Sequence, residues 1–468
     1  MVAKLWAIAD SALIQLRMSR YYKPRFQARD LPAAAAALDA VVRHRMLPYW
    51  YDTALDRING GYRFSDQHFS WHRLQRAARN RLAWMLSGGG LRLPAQPCVK
   101  HIVPHTRTLW TFAHAHCWGY SDSVRDYLQG AAHGYDFITR RMWDAQDGGV
   151  YWTVSSSGQP QDSRKFLLAQ GYVIYALTEY HRASGLAEPL SRALGLFHLV
   201  QEKMRDVQNG GWLEHVAADF RPLAFVGVNA PGSIIEKIGL KCSNTTMHWL
   251  EALSELYQVT GDAEVRAVLE ETIDIATTKF YTLDLAARCN LRTPDWQYVA
   301  LKGDQGFSSG HDLEFAWLLL RAQRFLKVPL AWQRLEEHLN YALQFAFDER
   351  RGGFFDNPSV ECRAFGEKIW WVQAEGLSAL TEALTGVQAH PAMPDYKSST
   401  LRLLAWIWNQ QMLGDGVWIW STDAHGSISN WVKAGEWKDP YHETRALCRF
   451  VSAFAPQRRW KAIPCATG

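Results

Sequence analysis

The sequence predicts an all-α fold, an (α/α)6 barrel built from six helix pairs with short β-hairpins. Three observations support this prediction. Apolar residues recur at helical spacing through long segments, while strand-like alternation is scarce. A pair of glycines followed by an aromatic or apolar residue recurs along the chain, and six helix starts follow one another at similar intervals.

The helical segments are clearest where they end. "YALTEYHRASG" and "EALSELYQVTGD" resemble each other, and each runs into a glycine, Gly185 or Gly261. Glycine adopts the left-handed conformation that ends many helices, because it has no Cβ to clash with the backbone. The two segments therefore predict long helices that end at equivalent points of a repeated unit.

The glycine pairs predict tight hairpins between the helices. They occur in "NGGYRF", "DGGVYW", "NGGWLE" and "RGGFFD", and "GDGVWIW" is a looser fifth copy. Asp or Asn next to glycine favours tight turns, and the aromatic residues that follow are typical of short strands.

Six helices are expected to line one end of the barrel, and their starts are separated by 62 to 78 residues. These intervals accommodate two helices and their connections, so six units favour a closed ring over an open helical array. Because no Pro/Gly/Ser-rich linker divides the chain, residues 31–460 are predicted to form one domain after a leader or extension at 1–30. The six starts lie near Arg107, Gln170, His248, His311, Gln373 and His442.

Composition excludes several classes of protein. The 468 residues are 48% hydrophobic and carry a net charge of only +5 without a basic run, so no nucleic-acid partner is expected. No apolar run is long enough to span a membrane, and the N-terminus lacks a signal-peptide cleavage pattern. The seven scattered cysteines make no C-x-x-C motif, which favours a reducing cytoplasm over a disulfide framework or zinc site.

Polar side chains recur at the starts of the predicted helices. The H-x-x-E spacing occurs at 248–251 and again at 311–314, which places each His and Glu on one helix face. A single such pair is usually a capping or core feature, since buried polar groups need partners. Recurrence in several units instead predicts that these groups converge on one mouth of the barrel.

Acid–base chemistry fits this set of residues better than metal or phosphate chemistry. Two His and two Glu could ligate zinc or manganese, but H-E-x-x-H is absent, and so are a Walker motif and a G-x-S-x-G nucleophile elbow. Histidine titrates near neutral pH, so two histidines can exchange the roles of general acid and base. Arginine and glutamate can hold sugar hydroxyls and a developing enediolate, and tryptophan can support a sugar face.

Four motifs in order carry a family resemblance: "NTTMHWLEAL", "SSGHDLEFAWLLL", "KIWWVQAEGL" and "EWKDPYHETRAL". They resemble the N-acylglucosamine 2-epimerase family, most of all its cellobiose 2-epimerase branch, and the similarity runs from about Leu47 to about Arg449. The resemblance implies an (α/α)6 barrel that epimerises a reducing-end sugar without a cofactor. It implies proton removal and return at C2 through an enediolate.

The resemblance also assigns residues. His311 and His442 match the two catalytic histidines, and no metal ligand is implied. The residues that match substrate-binding or orienting positions are Arg107, His248, Glu251, Glu314, Trp317, Trp371 and Glu375. A small carbohydrate is the implied partner, and the chain is expected to be a monomer or a homodimer.

Some positions depart from the family pattern. An insertion is expected around 64–99, and "KHIVPHTR" keeps Lys100 but has His105 and Thr106 before Arg107. Glu443 and Thr444 replace the Asn-Gly that disaccharide epimerases carry after the Tyr-His pair, which leaves the sugar open. An aldose–ketose isomerase of the mannose or glucose type is the main alternative, ahead of a glycoside hydrolase and a non-enzymatic sugar-binding protein.

Overall fold

The computed structural model describes residues 24–64, 99–225, 234–282, 290–299, 308–356, 366–388 and 393–455. Most of the extension predicted at 1–30, and nearly all of the insertion predicted around 64–99, lie outside these residues. Within them, no helix combines the length and apolar character that a membrane crossing requires.

Six helices form a closed inner ring. Each contacts the next one along the chain, and the last contacts the first. The predicted all-α barrel of six units is therefore confirmed. The inner helices are α3 (Ile102–Cys117), α5 (Leu167–Ser184), α7 (Ser243–Thr260), α9 (Ser309–Leu326), α11 (Trp370–Gly386) and α13 (Tyr441–Phe454).

An outer layer of helices packs around this ring. Five outer helices each follow an inner helix and pack against it, whereas the sixth inner helix, α13, packs on α1 from the start of the chain. The first helix thus completes the last pair and closes the barrel. The remaining helices are α1 (Leu31–Val41), α2 (Leu47–Ala54), α4 (Tyr127–Phe137), α6 (Ala187–Lys203), α8 (Ala263–Ile275), α10 (Trp332–Phe345) and α12 (Tyr396–Trp406).

Burial distinguishes the two layers. The outer helix α10 buries one stripe, Leu335, Leu339, Ala342 and Leu343, at helical spacing, as expected for a helix with one face in water. The inner helix α11 is buried on almost every side from Trp370 to Ala383. Polar side chains on an inner helix therefore need partners inside the barrel.

Short antiparallel strands cluster beside the N-terminal ends of the inner helices. Each glycine pair sits in a turn that brings the end of one outer helix back toward the next inner helix, as the bridges Trp143–Val150 and Phe347–Phe354 show. The strands are β1 (Lys100–His101), β2 (Thr153–Val154), β3 (Pro160–Asp162), β4 (Lys165–Phe166), β5 (His215–Val216), β6 (Lys241–Cys242), β7 (Leu291–Arg292), β8 (Lys368–Ile369), β9 (Ser421–Thr422) and β10 (Ile428–Asn430).

Both glycines of a pair have positive φ angles, for example 79° at Gly148 and 71° at Gly149. Residues with a Cβ rarely adopt this conformation, which explains why glycine recurs here. A lysine at the start of the strand that leads directly into the next inner helix secures each turn. Lys165 binds Asp144 at 2.8 Å and donates to the Gly148 carbonyl at 2.5 Å. Equivalent Lys–Asp pairs are Lys100–Asp56, Lys241–Asp206 and Lys368–Asp348.

Candidate active site

The predicted site residues gather at the mouth where the hairpins lie. His442 and Trp371 are the second residues of their inner helices, and His311 is the third residue of α9. Arg107, Glu314 and Glu375, each the sixth residue of its helix, occupy a deeper layer. The N-terminal halves of the six inner helices therefore bring distant parts of the sequence to one end of the barrel.

Arg445 lies at the centre of this layer. Its guanidinium binds Glu251 and Glu314, and its Nη2 lies 2.8 Å from Oε1 of Glu375. All four side chains are at most 4% exposed. Three carboxylates in such a buried space repel one another, so the guanidinium provides the positive charge that lets them share it.

His442 is oriented by Glu375. The Nδ1 of His442 lies 2.7 Å from Oε1 of Glu375, and the indole N–H of Trp317 donates to Oε2 of the same carboxylate at 2.9 Å. A carboxylate partner fixes the tautomer with the proton on Nδ1, which leaves Nε2 as the nitrogen that can accept a proton. Trp317 thus holds the Glu375 carboxylate in place, and Glu375 in turn orients the imidazole of His442.

His248 has a similar partner on its own helix. Its Nδ1 lies 2.9 Å from Oε2 of Glu251, which confirms that the H-x-x-E spacing at 248–251 pairs these side chains. The hydroxyl of Tyr441 donates to Oε1 of Glu251 at 2.5 Å. Tyr172 also packs beside His248, with ring centroids 4.9 Å apart.

His311 is held differently. Its Nε2 accepts a hydrogen bond from the Asn244 amide at 3.0 Å, and its Nδ1 is buried without a hydrogen-bond partner among the described residues. Glu314, three residues later, binds Arg445 instead of this histidine. The ring of His311 lies 4.8 Å from that of Trp371, whose ring centroid is 6.0 Å from that of His442. Trp371 therefore contacts both histidines.

Arg107 extends the site toward α5. Its guanidinium binds the Tyr172 hydroxyl, lies over the Tyr172 ring at 4.6 Å and is 3.6 Å from Oδ2 of Asp439. Its Nε is buried without a hydrogen-bond partner in the part of the chain that the structure describes. The side chain is thus fixed in place while retaining a donor group.

His248 and His442 are electrically neutral near neutral pH. Burial lowers the pKa of His248 to about 4, although Glu251 opposes this change. Burial, then the charges of Arg107 and Arg445, lower the pKa of His442 well below its ordinary value. Burial also lowers the pKa of His311, but the charges of Asp356 and Glu375 act in the opposite direction. A neutral imidazole can serve as a base, because it has a free lone pair.

The carboxylates around Arg445 differ in protonation. Burial and the charge of Glu375 raise the pKa of Glu314 to about 8. Burial alone would also raise the pKa of Glu251, but the charge of Arg445 and the hydrogen bond from His248 lower it overall. At neutral pH, Glu314 therefore keeps its proton while Glu251 is ionised.

Glu314, Glu375 and His442 place one potential metal-ligand atom each within 4.8 Å of one another. The same two carboxylates bind the Arg445 guanidinium, and His442 uses Nδ1 for Glu375. A metal cation at this point would have to displace a buried positive charge. The donor set therefore fits the arginine better than a metal ion.

Two residues singled out from the sequence, Trp317 and Glu443, have buried positions in the structure. Trp317 was expected to face the sugar, but it is 1% exposed and lies between the guanidiniums of Arg445 and Arg449, 4.7 and 4.2 Å from its ring. Glu443, part of the departure after the Tyr-His pair, is fully buried against Lys438 and Trp50. The Glu443 side chain therefore lies away from the mouth.

The sequence analysis missed several residues that complete the site. Arg445, Tyr441 and Asn244 make the contacts described above but were not assigned a role. Spacing could have found two of them, since Asn244 is four residues before His248 and Arg445 is three residues after His442, each on the same helix face. The role of Asp439 beside Arg107 has no local signal in the sequence.

Known proteins show similarity to most of the chain. The family model for N-acylglucosamine 2-epimerase (GlcNAc 2-epimerase) matches residues 92–446. Cellobiose 2-epimerase of Bacteroides fragilis is 27% identical over 412 residues, which cover 86% of this chain and 94% of that protein. The structure of cellobiose 2-epimerase from Spirochaeta thermophila has a TM-score of 0.73 and 26% identity, covering 92% of this chain and 98% of its own.

A D-mannose isomerase structure has a TM-score of 0.69 at 20% identity and covers 92% of this chain and 100% of its own, a likeness that shows the common fold. With the relatives, the barrel and its mouth of histidines and carboxylates define an epimerase, an isomerase-class enzyme. The chain belongs to the N-acylglucosamine 2-epimerase family.

Proposed function

We propose that this protein is a cofactor-independent carbohydrate 2-epimerase that acts on the reducing-end sugar. The observation that carries the proposal is the pair His311 and His442, which both contact Trp371 at the mouth of the barrel. Two imidazoles beside one aromatic ring can exchange protons with the two faces of a sugar carbon that the ring helps to position. A β-1,4-disaccharide is the first candidate substrate, because the relatives are cellobiose 2-epimerases.

We assign the base to His442. Glu375 holds its Nδ1, and two nearby arginines disfavour its protonated form, so Nε2 is available to take a proton. When the C2–H bond of the open-chain sugar breaks, its electron pair moves toward the C1 carbonyl and an enediolate forms. Arg107 supplies a fixed positive charge for the oxygens on C1 and C2.

We assign the acid to His311. The charges of Asp356 and Glu375 oppose the lowering of its pKa by burial, whereas at His442 the charges of two arginines add to that lowering. In the His311 imidazolium, Nε2–H faces Asn244, whose amide then presents its oxygen, and the proton on Nδ1 is the one that passes to the opposite face of C2. The enediolate electrons form the new C2–H bond, and C2 is inverted. His442 then gives its proton to solvent and His311 takes one up from solvent, which restores the starting charges. His248, whose Nε2 has no hydrogen-bond partner among the described residues, assists ring opening or binding.

The test is the reaction in deuterated water with cellobiose, N-acetylglucosamine and mannose as separate substrates. An epimerase places deuterium at C2 of the epimeric product, and activity should survive dialysis against EDTA. A ketose product would instead identify an aldose–ketose isomerase, which returns the proton to C1. Free monosaccharide from cellobiose would indicate a hydrolase, and no exchange with any sugar would contradict the proposal.

Two variants test the separate roles. His311→Asn and His442→Asn should each lower the rate of epimerisation at least about 100-fold, since positioned acid or base groups contribute that much. Starting from the epimer deprotonated by His442, His311→Asn should still exchange the C2 proton with solvent, whereas His442→Asn should not. Equal loss of exchange in both variants would contradict the assignment of acid and base.

A further inference from the structure

The opposite mouth of the barrel contains a cavity of about 630 Å³, and all six inner helices contribute to its lining. Trp110 and Tyr175 lie at its inner end and pack on Tyr441, with ring centroids 5.1 and 5.9 Å from the Tyr441 ring. Tyr441 in turn binds Glu251 of the candidate active site. A layer of aromatic rings therefore separates this cavity from the active site.

The charges in and around this cavity do not cancel. Four guanidiniums and three carboxylates form two ion-pair networks, and the network around Glu382 has two guanidiniums for one carboxylate, so one positive charge is in surplus among the described residues. The pairs are Arg182–Glu179, Arg182–Glu255, Arg321–Glu255, Arg324–Glu382 and Arg449–Glu382.

Hydrogen-bond donors are also in surplus. Every oxygen of Glu179, Glu255 and Glu382 already accepts a bond from an arginine or from His114. By contrast, Arg321 donates to Glu255 through Nε, and Arg449 donates to Glu382 through Nη2. A guanidinium carries five N–H donors, and the Nε of Arg449 is buried without a partner among the described residues. The carboxylates of the cavity therefore have no oxygen left for these donors.

The free donors lie on one side of the cavity. Arg321 is on α9 and Arg449 is on α13, and α11 packs between these two helices in the ring. Thr381 and Thr385 of α11 also line the cavity, but their hydroxyls already donate to the carbonyls of Leu377 and Thr381. The donors that remain are those of the two guanidiniums, which match the charge of an oxyanion that accepts several hydrogen bonds at once.

We propose that this cavity binds a small oxyanion, the chemistry shared by inorganic phosphate and organic carboxylates. Arg321 and Arg449 hold the anion from two sides, and the surplus positive charge balances it. Glu179 and Glu255 are already neutralised by Arg182 and Arg321, and Glu382 is neutralised by Arg324 and Arg449, so these carboxylates do not exclude a single negative charge. This site is distinct from the sugar site and does not depend on the reaction proposed above.

Isothermal titration calorimetry with the full chain tests the proposal, using phosphate and acetate as separate probes and chloride at matched ionic strength as the reference. Saturable binding of either probe is expected, and the probe that binds identifies the source of the oxyanion. Arg321→Gln and Arg449→Gln should each weaken binding about tenfold or more, because each removes charged hydrogen bonds. Arg266→Gln, which changes an exposed arginine on α8, is the matched control.

Arg107→Gln separates this cavity from the active site, and it should leave the affinity for the anion unchanged. Arg321 is 36% exposed, so Arg321→Gln carries the test if Arg449→Gln does not fold. The absence of saturable heat beyond that of chloride would overturn the proposal. Wild-type affinity in Arg321→Gln, or loss of binding in Arg107→Gln, would do the same. The readout is binding, so a chain without epimerase activity still gives a clear answer.

Discussion

Arg445 binds three buried glutamates, but the three carboxylates are not equivalent. Glu251 is ionised and accepts bonds from His248, Tyr441 and Arg445, whereas the pKa of Glu314 is raised to about 8 by burial and the charge of Glu375. A protonated carboxyl resembles an amide in shape and in its ability to donate a hydrogen bond. Replacing the carboxyl by an amide at these two positions should therefore have different consequences.

Glu314→Gln should retain most of the wild-type kcat/KM at pH 7, because the amide replaces a group that is already neutral. Glu251→Gln should lower kcat/KM about tenfold or more and reduce Tm, since it removes an ionised partner of buried cations. The folded-state pKa of Glu314 is raised, so its contribution to stability is lost as pH rises toward 8 in the wild type but not in Glu314→Gln. Equal damage from both substitutions, measured by kinetics and thermal unfolding, would contradict this protonation pattern.

Trp317 is a second residue whose contacts predict a measurable effect. Its indole N–H binds Glu375, which holds His442, so Trp317→Phe should lower kcat about tenfold and leave KM nearly unchanged. Trp249→Phe is the matched control, because Trp249 is also 1% exposed but its indole N–H has no hydrogen-bond partner among the described residues. A large rise in KM for Trp317→Phe would indicate direct sugar contact.

At the scale of the element, a recurring unit of lysine, aspartate and glycine turn positions the start of an inner helix. The sequence pattern predicted the turns, because paired glycines with Asp or Asn act locally. It did not predict the lysines, which follow each aspartate only after a variable number of residues. Four such lysines are at most 5% exposed and bind both the aspartate and a glycine carbonyl of the turn.

Lys165→Met should destabilise the protein by about 3–5 kcal/mol, since it leaves the Asp144 carboxylate buried without its cation. Urea unfolding followed by circular dichroism measures this change. Lys203→Met is the control, because Lys203 is 45% exposed and pairs with Glu202 at the surface. A change below about 1 kcal/mol for Lys165→Met, the size typical of a surface pair, would contradict the proposed role of the buried lysine.

The same contrast between local and distant information explains what the sequence could predict about the site. Helical spacing placed His248 with Glu251 correctly, because both residues belong to one helix. The contacts of Arg445 with Glu251 and Glu314 join residues 194 and 131 positions apart, so no local pattern reveals them. Trp317 follows Glu314 by three residues and lies deeper in the barrel, where the structure uses it to support Glu375.

For the whole molecule, the two ends of the barrel are held together in different ways. The end with the candidate active site has hairpins, short sheets and lysine–aspartate pairs. At the opposite end, ion pairs connect five of the six neighbouring inner-helix pairs, from His114–Glu179 between α3 and α5 to Glu382–Arg449 between α11 and α13. Both ends therefore depend on the protonation state of buried groups.

Buried neutral histidines make the stability of the molecule depend on pH. His105 donates from Nδ1 to the His101 carbonyl at 2.8 Å and accepts at Nε2 from the Tyr62 N–H at 3.1 Å, so both nitrogens are used in the neutral form. Burial lowers its pKa from 6.5 to about 3. Between these values the unfolded chain takes up a proton that the folded chain does not, so the free energy of unfolding falls as pH falls.

His105→Gln should remove the contribution of His105 to the pH dependence of stability without disturbing the fold. Gln170 and Gln373, which like His105 follow their lysines by five residues, bind both the N–H and the C=O of the facing turn residue. Between pH 6 and 4 the slope of the unfolding free energy should decrease by about 1.4 kcal/mol per pH unit, the value for one proton. Urea titrations at several pH values measure it, with the half-exposed His198→Gln as control. An unchanged slope in His105→Gln would show that His105 does not resist protonation in the folded protein.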